Sequence, residues 1–325
     1  MRAIVVNQFG GPEVLSVEER PDPVAGPGQV LIENKAAGVN PVDAYIRAGQ
    51  YARLPALPYV PGWDGAGVVR AAGQGVTDFS PGDRVYFSGT TAGRSAGAYA
   101  TLVVCAAHQV HPLPARLSFA QGAAIGVPYA TAHRALFGRA QAKAGETVMI
   151  HGASGAVGLA ALQLAVAHGC TVIGTAGSDA GLALIKDQGA KHAVRHGTSD
   201  TAKEIQAITG APGVNVIVEM LANVNLDTDL GLLAVAGRVV VVGNRGRVEI
   251  DARQTMAKES SILGMSLWYL SDEQLSGLQD QMAAGFADGT LTPVVGSELP
   301  MADVAMAHAK VFGGATTGKI VLTTI

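Results

Sequence analysis

The segment Thr147–Gly169, TVMIHGASGAVGLAALQLAVAHG, decides the fold of this chain. It predicts a short apolar strand, a glycine-rich turn and a helix of small apolar residues. Such a turn presents unpaired backbone N–H groups, and the positive end of the helix dipole, to an anion. Gly155 leaves room for a phosphate to approach the backbone, and Gly158 lets the helix lie close to the sheet. The segment therefore predicts a site for the pyrophosphate of a dinucleotide.

The turn departs from the common G-x-G-x-x-G pattern at its first glycine. Ala153 stands at that position, so we expect the neighbouring Gly152 to make the tight turn instead. The pattern alone is a modest indication, and the flanking strand and helix strengthen it. A glycine-rich turn that binds no ligand is the alternative.

Length and composition exclude several classes of protein. A chain of 325 residues exceeds what one hydrophobic core usually supports, so we expect two domains. A hydrophobic fraction of 48% with 15% charged residues predicts a compact protein, and a net charge of −3 gives no reason to expect nucleic acid or an anionic membrane as partner. Cys105 and Cys170, the two cysteines, cannot form a disulfide framework. Because no signal peptide or membrane span is evident, we expect a cytoplasmic protein.

The pattern of strands and helices changes near residue 120. Short β-branched runs punctuated by Pro and Gly precede it and predict a small β-barrel domain; they are Ala3–Val6, Val30–Glu33, Gly67–Val69, Arg84–Phe87 and Tyr99–Val104. Helical patterns then alternate with buried-strand runs, which predicts parallel βαβ units; the helices are Ala130–Gln141, Val157–His168, Leu182–Gln188 and Thr201–Ile208, and the strands Val148–Ile150, Val172–Gly174, Val214–Val218 and Val239–Val242. Two further helices, Asp272–Ala287 and Met301–Phe312, and a strand, Lys319–Thr323, complete the prediction.

Several motifs resemble the quinone oxidoreductases of the medium-chain dehydrogenase/reductase superfamily, and three resemble their zeta-crystallin branch most. They are GVNPVDAYIRAG (Gly38–Gly49), PYVPGWDGAGVV (Pro58–Val69) and GAAIGVPYATAHRAL (Gly122–Leu136), with EMLANVNL (Glu219–Leu226), GRVVVVGNRG (Gly237–Gly246) and TMAKESSILG (Thr255–Gly264) closest to that branch. The resemblance implies an α/β chain with a GroES-like β-barrel domain, residues 1–124 and 266–325, and an inserted Rossmann domain with a doubly wound parallel sheet, residues 125–265.

The chain lacks the metal ligands of zinc-dependent relatives. Those relatives place a cysteine near Gly38–Asn40, and a His-Glu pair where this chain has Trp63 and Asp64. Two isolated cysteines and scattered histidines have no metal-ligand spacing, so we expect no metal. Without a Lewis acid, ordinary alcohol oxidation loses several kcal/mol of transition-state stabilisation. We therefore expect a hydride acceptor that is electrophilic by itself, a quinone or an activated alkene.

The choice between NADPH and NADH depends on the end of the second Rossmann strand. NAD-binding units carry an acid there that holds the ribose 2′-OH. Here Ala176, Gly177 and Ser178 follow instead, which leaves room for a 2′-phosphate and favours NADPH. The resemblance places Gly177 and His196 at that phosphate. Asp179, where some bacterial relatives have a lysine, is a departure, and His196 as an exposed loop histidine is the alternative.

Further site residues are implied by the resemblance. Asn40 and Tyr45 match residues at the nicotinamide end, where Tyr45 could donate a hydrogen bond or proton to a quinone oxygen; Thr131 is a weaker candidate. The other cofactor residues are Ser154, Gly155, Ala156 and Val157 at the pyrophosphate, Asn225, the run Val242, Gly243, Asn244 and Arg245, and the run Met265, Ser266 and Leu267. The alternatives are a packed helix tyrosine for Tyr45, an N-cap for Asn225, a solvated charge for Arg245, and core or subunit interface for Met265 and Leu267.

These residues predict an NADPH-dependent, zinc-independent quinone oxidoreductase with a small-molecule quinone as substrate. The first alternative is an NADPH-dependent reductase of alkenals or enones. The second is an NADPH-binding RNA-binding or structural protein, for which no basic stripe or aromatic RNA-binding motif is evident. The apolar run Ser261–Leu267 suggests an edge strand that joins a partner chain, so we expect a homodimer or homotetramer.

Overall fold

The computed structural model describes residues 1–89, 97–313 and 317–324. Its strands are β1 (Arg2–Val6), β2 (Leu15–Glu19), β3 (Gln29–Val39), β4 (Asp64–Ala72), β5 (Arg84–Ser88), β6 (Leu102–Ala106), β7 (Val110–Pro112), β8 (Thr147–Ile150), β9 (Thr171–Ala176), β10 (His192–Arg195), β11 (Val214–Glu219), β12 (Leu233–Val241), β13 (Ser261–Gly264), β14 (Val295–Pro300) and β15 (Lys319–Thr323). Its α-helices are α1 (Pro41–Arg47), α2 (Phe119–Gly122), α3 (Gly126–His133), α4 (Ala156–Ala167), α5 (Asp179–Asp187), α6 (Thr201–Thr209), α7 (Ala222–Leu232), α8 (Arg253–Lys258), α9 (Asp272–Asp288) and α10 (Val304–Lys310).

The chain divides into two compact units. Unit 1 comprises Met1–Ala130 with Leu267–Ile325, and unit 2 comprises Thr131–Ser266. The junctions expected from the sequence, at 124/125 and 265/266, lie a few residues before these boundaries.

Unit 1 is built on a seven-stranded sheet in the order β14-β15-β3-β4-β5-β7, with β6 also paired to β3. Its neighbours are antiparallel except β14 and β15. Strand β3 is half buried in alternation at first and fully buried from Ala36 to Val39, because its end is covered on both faces. Gly38 is required there, since a Cβ would lie 2.1 Å from the Ala123 carbonyl oxygen. The covered end of β3 carries the chain into α1 and the site residues that follow.

Unit 2 contains a six-stranded sheet in the order β10-β9-β8-β11-β12-β13. Every pair of neighbours is parallel. The central strands are almost wholly buried, and α4 buries most of its length because its residues are small and apolar. The predicted alternation of parallel strands and helices is therefore confirmed. The ligand-binding edge of such a sheet is the one where the strands reach their carboxyl ends.

Some elements differ from the prediction. Tyr99 was expected in a strand, but its backbone bonds to Ile4 and Pro61, and β6 begins only at Leu102. The helix expected over Ala130–Gln141 begins earlier, as α3, and widens into a π-helical segment at Arg134–Arg139. Strands β2 and β14 were not predicted, because their polar residues leave little apolar alternation. None of the helices among the described residues is both long and apolar enough to cross a membrane.

Candidate functional site

The predicted pyrophosphate turn joins β8 to α4 in unit 2. Gly152 has φ +55°, a conformation that favours glycine, so it makes the tight turn as expected. Gly155 is the N-cap of α4, and its amide donates to the Gly152 carbonyl at 3.0 Å. At Gly158 a Cβ would lie 2.4 Å from that same carbonyl oxygen, so only glycine allows the helix to approach the turn. The backbone of Ala156 and Val157 lies in the first turn of α4, where N–H groups have no partner within the helix.

The tips of β9 and β10 lie side by side on this edge. Gly177 follows β9, and a Cβ on it would lie 2.9 Å from His196 Nε2. The other ring nitrogen of His196 lies 3.2 Å from the Thr175 hydroxyl. Partial burial of the ring, together with the charges of His151 and Arg195, lowers the pKa of His196. The structure therefore brings Gly177 and His196 together, and His196 is an exposed residue after β10, as the loop-histidine alternative also describes.

Arg195 and Ser178 complete the same tip. Ser178 is the N-cap of α5, and its hydroxyl accepts from the Gly181 amide at 3.1 Å. Arg195 Nη1 donates to the Gly177 carbonyl at 2.8 Å, and Nη2 pairs with the Asp179 carboxylate. The sequence analysis missed Arg195, because the end of β10 carries no motif and only the parallel pairing with β9 places Arg195 beside Gly177.

Asn225 and the predicted run after β12 lie where β11 and β12 end. Asn225 is the fourth residue of α7, and Leu221 is the N-cap, so the N-cap alternative for Asn225 is wrong. Its Nδ2 donates to Glu219 Oε1 at 3.2 Å, which fixes the orientation of the amide. Gly243 must be glycine, because a Cβ would lie 2.3 Å from the Met220 carbonyl oxygen.

The rest of that run is held by its own hydrogen bonds. The amide of Val242 donates to the Glu219 carbonyl at 2.9 Å, and that of Arg245 to Asn223 Oδ1 at 2.9 Å. Asn244 and Arg245 are exposed, and Asn244 Nδ2 donates to the Gly246 carbonyl at 2.7 Å. The run thus lies on the carboxyl edge of the sheet, where a ligand of an open α/β sheet binds.

The predicted residues Met265, Ser266 and Leu267 span the end of unit 2 and the start of the second segment of unit 1. Met265 extends the pairing of β13 with β12, since its amide donates to the Val241 carbonyl at 3.3 Å. Leu267 is buried in unit 1, packed with Ala130 and Leu275. The Leu267 side chain is therefore a core residue, which is one of the alternatives stated for it.

A buried cluster of His151, Glu219 and Asp229 lies behind this edge. His151 Nε2 donates to Asp229 Oδ1 at 2.8 Å and lies 3.3 Å from Glu219 Oε2. Burial alone lowers the pKa of His151, but the hydrogen bond to Asp229 and the two carboxylates outweigh it and raise that pKa. Burial and the Asp229 carboxyl raise the pKa of Glu219.

Among the residues that the structure describes, this cluster is the one group of three or more His, Cys, Asp and Glu side chains close enough to share a metal ion. Two ligands of one tetrahedral zinc ion stand about 3.4 Å apart. The 2.8 Å between His151 and Asp229 is instead a hydrogen bond. We therefore interpret the cluster as a structural support, whose Glu219 holds Asn225.

In unit 1, Asn40 and Asp64 form the centre of a buried polar network. Asp64 Oδ2 accepts from Asn40 Nδ2 at 2.9 Å and from Lys319 Nζ at 3.2 Å. Its Oδ1 accepts from the Ser88 hydroxyl at 3.0 Å and the Val127 amide at 2.9 Å. Both members of the Asp64–Lys319 ion pair are buried, and Lys319 also donates to Asn40 Oδ1.

The network extends from Asn40 to a second carboxyl group. Asp43 Oδ2 accepts from the Asn40 amide at 2.8 Å and from the Tyr99 hydroxyl at 3.2 Å, and His308 Nε2 lies 3.2 Å from that hydroxyl. Burial raises the pKa of Asp43 to about 7, with a smaller contribution from the charge of Asp64. Burial lowers the pKa of His308 to about 3, so His308 is neutral.

Tyr45 and Thr131 lie apart from these hydrogen bonds. Tyr45 is a half-buried residue of α1, and its ring centroid lies 5.0 Å from that of Phe312. This packing agrees with the packed-tyrosine alternative and leaves a role for its hydroxyl open to test. Thr131 is buried in α3.

The residues around Asp64 do not fit a zinc ion. The groups that the structure places on its carboxylate are an amide, a hydroxyl, a backbone N–H and an ammonium group, all of which donate hydrogen bonds. The ammonium of Lys319 lies at that carboxylate, and burial lowers the pKa of this lysine. Cys105 lies in β6 of unit 1 and Cys170 before β9 of unit 2, and neither belongs to a metal-ligand group in the described residues.

Sequence reasoning missed Lys319, Asp43, Tyr99 and His308. One signal was available, since Asp43 stands three residues after Asn40 at a helix start, the spacing of a capping interaction. The others come from distant elements, and Lys319 was assigned only to a strand.

Comparisons with known proteins agree with this architecture. The family model described as "Alcohol dehydrogenase GroES-like domain" matches residues 26–115, and "Zinc-binding dehydrogenase" matches residues 156–283. Human quinone oxidoreductase is 48% identical over 326 residues, which cover 99% of this chain and 97% of the human protein. The rat quinone oxidoreductase is also 48% identical, over 324 residues.

Solved structures show the same fold. An NAD-dependent alcohol dehydrogenase superposes with a TM-score of 0.91 at 30% identity, covering 99% of both chains. A mycobacterial protein solved in complex with NADPH has a TM-score of 0.88 at 32% identity, covering 99% of this chain and 100% of the other. Because one of these proteins depends on NAD and the other was solved with NADPH, fold similarity alone does not choose the nucleotide.

A GroES-like unit combined with a parallel sheet that carries a glycine turn defines a medium-chain dehydrogenase/reductase. Within that superfamily, the chain belongs to the quinone oxidoreductase family, the zeta-crystallin family. It is accordingly an oxidoreductase.

The buried Asp43 carboxyl makes stability depend on pH. Its folded-state pKa of about 7 exceeds the unfolded value of about 3.9, so the folded state holds a proton that the unfolded state releases. This contribution to stability is complete below pH 4 and is lost as the pH rises through 7. The amide introduced by Asp43→Asn cannot ionise. As the pH rises from 5 to 8, we therefore expect the free energy of unfolding of the variant to increase relative to that of the wild type, by up to about 3 kcal/mol.

Urea unfolding of both proteins across that range measures this difference. Other titrating groups, among them Glu219, His111 and His308, are common to both proteins and cancel in the comparison. Asp78→Asn, a change at an exposed aspartate of the same unit, serves as the control. Its free energy of unfolding plotted against pH should be parallel to that of the wild type. A curve for Asp43→Asn that is also parallel to the wild-type curve would contradict the raised pKa of Asp43.

Proposed function

We propose that this chain is an NADPH-dependent quinone oxidoreductase that works without zinc. The observation that carries the proposal is the buried Asp64–Lys319 pair, whose carboxylate is already surrounded by hydrogen-bond donors. A reductase without a Lewis acid needs an acceptor that already attracts a hydride, and a quinone is such an acceptor. The relatives named quinone oxidoreductase support a quinone, and they do not favour the activated alkene that was the first alternative.

The residues of unit 2 fit a dinucleotide. Gly155 offers an open backbone, since a Cβ there would meet nothing closer than 3.4 Å, and the amides of Ala156 and Val157 start α4. We propose that this turn, with Ser154, holds the pyrophosphate, and that Gly177 and His196 lie at the 2′-phosphate. Asn225 and the run Val242–Arg245 would bind the same nucleotide, as would Met265, Ser266 and the backbone of Leu267.

The bound nicotinamide would supply the hydride, and the chain would supply orientation and a dry environment. The Asn40 side chain bonds Asp64 and Lys319, so it cannot rotate without breaking a buried hydrogen bond. We propose that Asn40 keeps a fixed polar surface at the reacting end. Tyr45 would donate a hydrogen bond to a quinone oxygen, which gains negative charge as the hydride arrives; one proton from solvent and one hydride complete the hydroquinone.

We further propose a cytoplasmic homodimer, or a tetramer built from such dimers. Strand β13 is an edge strand, paired on one side to β12 within the part of the chain that the structure describes. Ile262 on this strand and Met256 on α8 are exposed, at 39% and 78%. An unpaired parallel edge with apolar side chains is a template for a second copy of the chain. RNA binding, the second alternative, gains no support from the net charge of −3.

Activity with a simple quinone tests the proposed function. Purified protein should oxidise NADPH in the presence of 1,4-benzoquinone or 9,10-phenanthrenequinone, with kcat/KM at least about tenfold above that with NADH, since a phosphate contact is worth about 1.5–3 kcal/mol. Treatment with a strong chelator should leave the rate unchanged. The proposal is wrong if quinone reduction does not exceed the uncatalysed rate, or if zinc restores a rate that chelation removes.

The variant Tyr45→Phe tests the hydroxyl of Tyr45. It keeps the ring that packs on Phe312 and removes one hydrogen bond, worth about 1 kcal/mol, so kcat with quinone should fall about fivefold. Tyr269→Phe, at a tyrosine that is 76% exposed, is the control and should not change kcat. An unchanged kcat for Tyr45→Phe, with normal circular dichroism, would leave Tyr45 as a packing residue.

Sedimentation velocity tests the proposed dimer. The wild type should sediment as a dimer or tetramer of the 33.0 kDa chain, and Ile262→Lys should shift it towards monomer because two buried ammonium groups would face each other across the twofold axis. Val24→Lys, at a residue that is 86% exposed in unit 1, is the matched control. A wild type that sediments as a monomer at micromolar concentration would disprove the assembly.

A further inference from the structure

The tip of β9 and β10 needs a permanent positive charge if it is to select a phosphate. A phosphate monoester carries about −1.5 to −2 charges at pH 7, whereas the ribose hydroxyl that it replaces carries none. His196 lies at this tip, but an imidazole is charged only when protonated, and the surroundings of His196 lower its pKa. A guanidinium group beside it would supply a charge that does not depend on pH.

Arg195 is placed to supply it. As the last residue of β10 it pairs in register with Ala176, the last residue of β9. Its guanidinium Nη1 bonds the carbonyl of Gly177, the glycine whose missing side chain leaves space in front of His196. A guanidinium group keeps its charge at any pH that the protein meets, and its fork of N–H groups matches phosphate oxygens.

The present partner of Arg195 is easily exchanged. Nη2 pairs with Asp179, whose side chain is 95% exposed, and the Arg195 side chain is itself 39% exposed. Ion pairs this exposed contribute little to stability, because water and salt screen them. Nη1 can keep its hydrogen bond to the Gly177 carbonyl while Nη2 leaves Asp179. The guanidinium can therefore bind an anion without a large conformational change.

We propose that Arg195 is the residue that selects the 2′-phosphorylated nucleotide, exchanging Asp179 for the phosphate beside Gly177, Ser178 and His196. The proposal rests on the proposed function, from which it takes the dinucleotide, and it adds the group that discriminates. Asp179 acts as the counter-ion of Arg195 in the protein without nucleotide. Because no acidic side chain stands at the end of β9, the 2′-phosphate can bind there without charge repulsion, and Arg195 attracts it.

Binding of adenosine 2′,5′-bisphosphate and 5′-AMP to the full chain tests this without any catalysis. The two probes differ by the 2′-phosphate alone, and isothermal titration calorimetry measures both. Arg195→Ala should weaken binding of the bisphosphate about 10- to 100-fold and change the affinity for 5′-AMP by no more than about twofold. Added salt should reduce the difference in bisphosphate affinity between the wild type and the variant. Lys186→Ala, which removes one positive charge at the far end of α5, is the matched control and should change neither probe.

Asp179→Asn separates selection from structural support. Removing the counter-ion should leave bisphosphate binding unchanged or tighter, whereas a loss as large as that of Arg195→Ala would show that the ion pair merely builds the tip and would overturn the proposal. Equal losses for both probes in Arg195→Ala, or no loss, would overturn it too.

The same titrations separate this proposal from the proposed function. A wild type that binds neither probe would overturn both. A wild type that binds the bisphosphate in an Arg195-dependent way yet reduces no quinone would support Arg195 and overturn only the quinone activity.

Discussion

The carboxylate of Asp64 is the constraint on which the candidate site of unit 1 depends. Burying a charge is costly unless its oxygens are fully hydrogen-bonded and an opposite charge lies close. Here the donors come from Asn40 after β3, Ser88 in β5, Val127 in α3 and Lys319 in β15. Removing any one donor leaves a buried charge short of a partner, so these elements are held in one arrangement.

That arrangement also fills the surroundings of the Asp64 carboxylate with hydrogen-bond donors. One of them, the ammonium group of Lys319, lies beside the carboxylate and donates to Asn40 as well. The proposed enzyme would gain no Lewis acid from these residues, so it would rely on the reactivity of its substrate, which is the physical reason for proposing a quinone.

In unit 2 the corresponding constraint is close backbone approach at the carboxyl edge of the sheet. Gly158 and Gly243 each stand where a Cβ would come within 2.4 Å of a carbonyl oxygen. These contacts bring α4 against the turn after β8, and the segment after β12 against the segment after β11. They leave backbone groups at the carboxyl edge of the sheet. The buried His151–Glu219–Asp229 cluster supports the same edge from behind by holding Asn225.

The sequence by itself determined the alternation of strands and helices in unit 2, the glycine turn and the absence of an acid after β9, because hydrophobic period and glycine placement are local properties. Asn40 was proposed from the resemblance to a family, and its role at the site stays a prediction. Only the tertiary structure decided that Lys319 pairs with Asp64, that Tyr99 bonds Asp43 and His308 bonds Tyr99, and that Arg195 lies beside Gly177. These pairs are far apart in the chain, and their partners are set by sheet pairing and by the need to satisfy buried charge, neither of which leaves a pattern within a short stretch of residues.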